Sequence, residues 1–281
     1  MFNNAIAIGF ALASALTVAW GTVLRHRIAE NAPDGSPFLH AIRRPLWWLG
    51  TFTALAGYGL QIAALGFGSL LVVQPILVLS LMFTLPMAAR YQGRRLSFSE
   101  LSWSALLTAA VATLVLLGKP TAGNPLPSLS RWAPALTVGI IAMVAATRFA
   151  QHQIRNERAL ILGMVTGGIY GYVAVLSKAT VDIFVHQGFI GLLTTWEGYS
   201  LIAGALIGTV VQQYAFNAGE LKNSLPAMTI LEPIVAFALG YIVLEEKFQV
   251  AGWGWLFMAI ALLAMILATV ALSRRGIDLD T

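Results

Sequence analysis

The chain has 281 residues, of which 58% are hydrophobic and only 10% are charged, and its mean hydropathy is +0.78. Soluble domains carry about 25% charged residues, so this composition excludes an ordinary soluble domain and predicts an all-α polytopic membrane protein. The absence of cysteine excludes disulfides, cysteine-ligated zinc and thiol chemistry. The net charge of +5 arises from short basic clusters between apolar runs, which indicate membrane orientation rather than nucleic-acid binding.

The first half of the chain predicts four membrane-spanning helices. The first apolar run has no Lys or Arg before it, so it lacks the charged start of a cleaved signal peptide and is predicted to be retained. Residues 45–89 carry no charge over a length too great for one crossing, because about 20 residues span a bilayer. The residues from Gly66 to Ser69 are typical of a tight turn, which divides this run into two predicted spans. The predicted spans are 5–24, 46–66, 69–89 and 101–118.

The second half predicts five more helices and completes an arrangement of about nine. Their predicted spans are 132–150, 160–183, 197–217, 223–244 and 250–272. The organisation predicted from them is a first transmembrane repeat in residues 1–130, a connecting helix with an inner loop in 131–158, and a second transmembrane repeat in 159–281.

The basic residues predict the orientation of these spans. With the N-terminus outside and the C-terminus inside, thirteen of the 17 Lys and Arg residues fall in inner segments. Three fall outside, namely Lys119, Arg131 and Lys247, and Lys178 lies within a span. Cytoplasmic loops carry an excess of Lys and Arg, so the asymmetry predicts N-out/C-in in the plasma (inner) membrane.

The two halves resemble each other in the order of their motifs. Each has a glutamine (Gln61 or Gln213), a short turn, a Ser-Leu helix start, and then Gln74-Pro75 or Glu232-Pro233. The distance from Ser-Leu to the proline differs by three residues, about one helical turn. A single connecting helix between two four-helix repeats inverts the second copy, and inverted repeats with a site at their interface are a recurrent transporter plan. Chance similarity among apolar helices is the alternative.

The sequence resembles the drug/metabolite transporter superfamily over nearly its whole length. The resemblance rests on Trp20-Gly21, on the glycine-rich segment GGIYGYVAVLSKA, and on LEPIVAFALGYIVLEEKFQVAGW near the end. The segment RRPLWWLGTFTALAGYGLQIAALGFGSLLVVQP is most similar to the nine-span branch of NIPA-like magnesium transporters. The resemblance implies two inverted halves around a central cavity that works by alternating access. Well-known members have ten spans in two sets of five, whereas each half here has four.

Glu232 is the leading candidate for a transport residue. It is the lone charge of its predicted span and lies near the middle of the membrane, where a carboxylate is costly and usually faces a protein interior or water. It is expected to bind a cation or amine, or to exchange a proton; a structural hydrogen bond at a kink is the alternative. Gln74 holds the corresponding position in the first half. Pro75 and Pro233 are predicted to break their helices, because proline removes a backbone donor.

Further candidates are polar and aromatic groups within the spans. Lys178 is expected to extend to the headgroups, or else to pair with Glu232 or contact an anionic substrate. Gln213 lines an inner mouth or satisfies backbone at a helix end. Aromatic side chains with polar tips suit a cavity for organic cations, or else form an interfacial belt; they are Trp20, Tyr58, Tyr170, Tyr172 and Tyr214. The face of Gly163, Gly167 and Gly171 indicates close helix packing or a sliding surface.

These observations favour a non-enzymatic secondary transporter of a small metabolite, an organic cation or a lipid-linked metabolite. A magnesium or divalent-cation transporter is the alternative that the NIPA-like resemblance implies, and an accessory protein or lipid-precursor flippase of envelope biogenesis is a further one. No cofactor, metal site or nucleotide-binding loop is predicted; the four histidines lie in or near loops without ligand spacing. The expected partners are a small-molecule or lipid substrate and the lipid bilayer, with a homodimer as an option and no nucleic acid.

Overall fold

The computed structural model describes residues 4–30, 45–91, 93, 95–121, 123–218 and 221–277, and within them the chain is helical and contains no β-strand. The helices in chain order are α1 (Asn4–Glu30), α2 (Pro45–Phe67), α3 (Leu70–Val78), α4 (Ser80–Tyr91), α5 (Phe98–Gly118), α6 (Leu129–Ala150), α7 (Arg155–Thr194), α8 (Trp196–Ala218), α9 (Leu221–Ile242) and α10 (Gly254–Ile277). The predicted all-α class is confirmed.

Seven helices in the described part of the chain are long and apolar enough to cross a membrane, when α3 and α4 are taken as one. A shorter apolar segment, Pro226–Ile242, lies in α9. Large apolar side chains such as Phe52, Leu116 and Ile141 are more than half exposed. Helices with outward-facing apolar side chains suit a lipid environment, so the fold is that of a helical membrane protein.

Local hydrogen bonds explain where several helices begin. The predicted turn between the second and third spans is present, because α2 ends at Phe67 and α3 starts at Leu70. Ser69 caps α3 by accepting a hydrogen bond from the amide of Val72. Ser97 and Glu100 form a reciprocal capping box at the start of α5, which satisfies two backbone donors at once.

The prolines act differently in the two halves. Pro75 lies inside α3, and the helix is interrupted four residues later, at Leu79, before α4 starts. Pro233 lies inside α9, which continues without interruption from Leu221 to Ile242 and also contains Pro226. The predicted break at Pro233 is therefore wrong. A proline removes one backbone hydrogen bond, and the remaining bonds of the turn and the neighbouring helices hold a membrane helix together around it.

Helix α7 is longer than predicted and forms the centre of the second half. It covers 40 residues and bends at Gly188, whose φ of 66° is left-handed and favours glycine. The part before the bend is about 50 Å long at 1.5 Å per residue. Both α8 and α9 pack along it, and α6 packs on it from another side.

Packing in the first half follows a similar order. Helix α1 packs on α2 and on the α3–α4 pair, while α5 packs on α10 of the second half. Helix α3 contacts α9, and α2 contacts α7. The apolar core lies where these helices meet and includes Leu70, Leu114, Leu244 and Met265.

Candidate functional site

A buried ion pair joins α7 to the loop between α9 and α10. The Nζ atom of Lys178 lies 2.7 Å from Oε1 of Glu246, and the two side chains are 3% and 0% exposed. Nζ also donates a hydrogen bond to the carbonyl oxygen of Gly68, in the turn between α2 and α3, at 2.9 Å. One ammonium group therefore connects three separate segments of the chain.

The Glu246 carboxylate also caps the start of α3. Its Oε1 accepts from the amide of Leu70 at 2.8 Å, and its Oε2 accepts from the amide of Leu71 at 2.9 Å. The first amides of a helix have no partner within the helix and carry partial positive charge. Burying two charges is costly unless both are paired and hydrogen-bonded, and these contacts meet that requirement.

The predictions for Lys178 are wrong on two points. Its side chain is buried and does not extend toward headgroups, and its acidic partner is Glu246 rather than Glu232. The reason is local geometry: the carbonyl of Gly68 and the carboxylate of Glu246 lie within 3 Å of the ammonium group, so it is solvated by protein without leaving the interior.

Loops at the same end of the bundle are held together by backbone hydrogen bonds. Thr121 and Lys247 form an antiparallel bridge, the amide of Gln249 donates to the carbonyl of Gly118, and that of Asn124 donates to the carbonyl of Leu244. An exposed ion pair joins Arg131 to Glu245. We refer to this end, which holds the α2–α3 turn, the α5–α6 loop and the α9–α10 loop, as the Glu246 end.

A second polar cluster lies between α7, α8 and α9, near the position of Glu232 on α9. The hydroxyl of Tyr170 donates to Oε1 of Gln212 at 3.2 Å, and Nε2 of Gln212 lies 3.4 Å from Sδ of Met228. Glu232 is half-buried in the middle of α9, and its backbone packs against Gly167 and Gly171, which lie on either side of Tyr170 in α7. Among the side chains that the structure describes, no ion pair involves Glu232.

The glycine face of α7 holds α9 close to this cluster. A Cβ atom added at Gly167 would lie 2.5 Å from the carbonyl oxygen of Met228, and one added at Gly171 would lie 3.0 Å from the carbonyl oxygen of Glu232. At Gly163 the nearest atom would be the carbonyl oxygen of Ser224, at 2.5 Å. The packing role predicted for the three glycines is therefore confirmed. They let the two backbones touch on both sides of Glu232.

Gln74, the predicted counterpart of Glu232, is in the interior of the first half. It is 2% exposed in α3, and its Nε2 has no hydrogen-bond partner among the described residues. Helix α3 contacts α9, so the two predicted positions lie on neighbouring helices. The side chain of Gln213 lies outside the described residues, and its neighbour Gln212 occupies the cluster with Tyr170.

An open cleft with a volume of about 870 Å³ lies between α6, α7 and α9. Its lining is apolar apart from Ser130, Arg131 and Tyr172. The Tyr172 hydroxyl is already used, because it donates to the carbonyl of Ala135. A second apolar cavity, of about 500 Å³, lies on the other side of α6, next to α8. Thus α6 contacts α7 along a narrow strip that has an apolar cleft on each side.

Three of the predicted cavity aromatics are on the outside of the bundle. Trp20, Tyr58 and Tyr214 are 43%, 55% and 62% exposed, and none of them lines the cavities described here. The cavity prediction is wrong for these three, whose side chains face outward from the bundle; the alternative, an interfacial belt, stays a prediction. Within the described residues, no group of three or more His, Cys, Asp or Glu side chains is arranged to hold a metal ion.

Sequence reasoning missed Glu246 and gave Gln212 little weight. A signal for Glu246 existed, because two adjacent glutamates directly follow the apolar run of α9, and a charged side chain at the edge of a membrane span either faces water or pairs inside the protein. Gln212 and Gln213 are adjacent and lie about 100° apart around their helix, so they face different directions, and the sequence does not indicate which of the two faces Tyr170.

The all-helical fold and its long apolar helices define a protein of the helical membrane class. One relative, an uncharacterized protein of Corynebacterium glutamicum, is 60% identical over 281 residues, and the match covers 98% of this chain and 97% of the relative. The chain therefore belongs to the same family as that corynebacterial protein. No protein-family model matches the chain, and no solved structure matches it.

Proposed function

We propose that the protein is a secondary transporter of the drug/metabolite transporter type. In this proposal it moves a small metabolite, an organic cation or a lipid-linked metabolite across the plasma (inner) membrane by alternating access. Nine spans cross the membrane with the N-terminus outside, and the Glu246 end faces the outside. Coupling to a proton or to the gradient of the substrate supplies the energy.

The packing order of the helices supports two related halves. Helix α1 packs on the next two helical units of its half, as α7 packs on α8 and α9, and the last helix of each half packs on the other. Inverted halves of this kind place their substrate sites at the interface between them. The contact of α3 with α9 brings the elements that carry Gln74 and Glu232 to that interface.

Glu232 is the observation that carries the proposal. It is a carboxylate in the middle of an apolar helix, its backbone packs against the turn of α7 that carries Tyr170, and no ion pair holds it among the described side chains. Such a group is costly in a membrane and marks a pathway for ions, protons or substrate. A cationic or amine-bearing substrate would supply the missing positive charge, while the phenol and the Gln212 amide would orient it. In the absence of substrate, a proton would take its place.

The 870 Å³ cleft favours a substrate with a large apolar part. It runs beside α9 on the face next to Leu231 and Val235, which flank Glu232 in sequence. An amphiphile could lay its apolar portion in this cleft. Neither Glu232 nor Tyr170 lines the cleft in this structure, so α7 and α9 would have to separate for its polar portion to reach the Tyr170 cluster. This observation supports an organic cation or a lipid-linked metabolite over a small, fully polar solute.

Transport by purified protein in liposomes tests the proposal. Uptake of an organic-cation panel, amino acids, lipid precursors and Mg²⁺ is measured for the native chain and for Glu232→Gln, with Glu157→Gln as the matched control at an exposed site on α7. We expect Glu232→Gln to lower uptake by about tenfold or more, because hydrogen bonds to charged groups contribute roughly 1.5–3 kcal/mol. Glu157→Gln should transport normally.

Each other outcome has a distinct meaning. Uptake of Mg²⁺ alone, lost in Glu232→Gln, would replace the proposal with the divalent-cation alternative. Normal uptake by Glu232→Gln would remove Glu232 from the mechanism. Folded protein that transports nothing in the panel would overturn the transporter proposal in favour of an accessory role.

Thiol labelling of intact cells tests the proposed orientation. The chain has no cysteine, so a single introduced thiol gives an unambiguous signal. Asn124→Cys, in the α5–α6 loop, should react with a membrane-impermeant reagent added outside. Gln151→Cys, between α6 and α7, should react only after the cells are permeabilised. The reverse pattern would contradict the N-out arrangement.

A further inference from the structure

The Glu246 end contains a further group of polar side chains on α7 that does not belong to the proposed substrate site. Lys178 lines a small cavity of about 240 Å³, whose lining also includes Asp182 and His186. These three residues follow each other at intervals of four along α7, so they lie on one face of the helix. Nδ1 of His186 lies 3.4 Å from Oδ1 of Asp182. The side chain of Asp182 is 21% exposed, which is more than that of Glu246.

Lys178 thus has two carboxylates within reach of its helix face. Glu246 holds it in the present structure, at 2.7 Å. Asp182 is one turn further along α7, and side chains four residues apart on a helix are neighbours that form ion pairs. The cavity between them has room for water, which would solvate the charges while the lysine moves.

We propose that Lys178 is the moving part of a gate at the Glu246 end: it closes this end by pairing with Glu246 and opens it by pairing with Asp182. The closed pair joins segments that belong to both halves, since Gly68 and the start of α3 come from the first and Lys178 and Glu246 from the second. Release of the pair would free the α9–α10 loop from α3. The gate deepens the proposed transport function and rests on it for its role in a cycle.

Polar contacts hold the ends of the two halves together around the pair. The Glu246 carboxylate accepts from two amide groups of α3, and the α9–α10 loop is joined to the α5–α6 loop by the hydrogen bonds of Thr121, Asn124 and Gln249. Apolar contacts lie beside them, since Leu70 of α3 and Leu244 of the α9–α10 loop belong to the same buried core. Release of the pair removes the charged part of this seal, and water can replace the hydrogen bonds that are lost.

Cysteine accessibility tests the gate without any need for a known substrate. Val181→Cys places a thiol in the lining of the 240 Å³ cavity, and Gln187→Cys places a control thiol at an exposed position on α7. In Glu246→Gln, we expect an impermeant thiol reagent to modify Val181→Cys about tenfold faster, because one partner of a buried pair is lost. In Asp182→Asn, the rate should fall by about twofold, as the open-state partner of Lys178 is removed. The Gln187→Cys rate should not change in either variant.

The two variants are expected to change the labelling rate in opposite directions, which distinguishes a gate from a general loosening of the fold. Loosening of the fold would raise the labelling rate in both variants and would overturn the proposal, as would an unchanged rate in Glu246→Gln. If Glu246→Gln fails to fold, Asp182→Asn alone decides, since an unchanged rate there rejects the second partner. Labelling is measured without substrate, so it stands apart from the liposome assay. Uptake with unchanged labelling would leave the transport proposal intact and reject only the gate.

Discussion

Replacing Gly167 by alanine should separate α7 from α9 next to Glu232, whereas the same replacement at Gly168 should not. The two residues are adjacent on one helix and differ in what faces them. An added Cβ at Gly167 meets the carbonyl oxygen of Met228 at 2.5 Å, while at Gly168 the nearest atom is Sδ of Met143 at 3.8 Å. The first is a clash with backbone, and the second is ordinary contact.

The size of the effect follows from the two contacts. Optimal separation of non-bonded heavy atoms is about 3.5 Å or more, so α9 must move by about 1 Å to admit the methyl group of Gly167→Ala. Overpacking of this kind costs roughly 1–3 kcal/mol. Both variants gain about 1 kcal/mol from the better helix propensity of alanine. That gain cancels in the comparison, so the free energies of unfolding should differ by roughly 1–3 kcal/mol.

Thermal unfolding in detergent, followed by size exclusion or tryptophan fluorescence, measures this difference. At roughly 2–4 °C per kcal/mol for a chain of this order of size, the Tm of Gly167→Ala should lie at least about 2 °C below that of Gly168→Ala. Liposome uptake should fall in Gly167→Ala alone. Equal Tm values for the two variants would refute the close packing of α7 on α9 and the reasoning built on it.

Three further experiments test the Glu246 end and a helix start. The double variant Thr121→Cys/Lys247→Cys should form a disulfide under oxidation, because directly opposed residues of a bridge have Cα atoms about 4.5–5.5 Å apart. The disulfide should stop uptake, and its reduction should restore uptake. Uptake by the oxidised protein would contradict opening at this end. Lys178→Met should lower the free energy of unfolding by about 3–5 kcal/mol. Arg131→Met breaks an exposed pair and should lower it by less than about 1 kcal/mol. Equal losses in denaturant titrations would contradict this difference between the buried and the exposed pair. Ser97→Ala removes a capping box and should cost about 1 kcal/mol in the same titration, and no loss would show that the cap contributes nothing.

The positions of the helices could be predicted from the sequence because they depend on local properties. Charge-free runs fix where a helix is soluble in lipid, and Gly66 to Ser69 supply the residues that a tight turn needs. The glycine face of α7 could be predicted for the same reason, since three glycines at intervals of four lie on one side of any α-helix. The count of nine spans and their orientation remain predictions.

The partners of the buried groups could not be predicted in the same way. Lys178 and Glu246 are 68 residues apart, and their meeting depends on how α7, the α2–α3 turn and the α9–α10 loop pack together. Glu232 was a closer and more conspicuous acid in the sequence, but it lies with Tyr170 on another part of the bundle. The outward position of Trp20, Tyr58 and Tyr214 likewise depends on helix rotation, which neighbouring helices set and which composition does not record.

Helix α7 contributes residues to both sites from the same straight segment, before its bend. Lys178, which pairs with Glu246, lies eight residues after Tyr170 of the other cluster, or about 12 Å further along the helix axis. Both residues precede the bend at Gly188. A rigid shift of this segment would move both places together, and occupancy of the central cluster and the state of the ion pair would then form one thermodynamic cycle. By reciprocity, a ligand that binds better when the pair is broken must itself weaken the pair by the same free energy. Glu246→Gln should therefore tighten the binding of that ligand at a site it never touches.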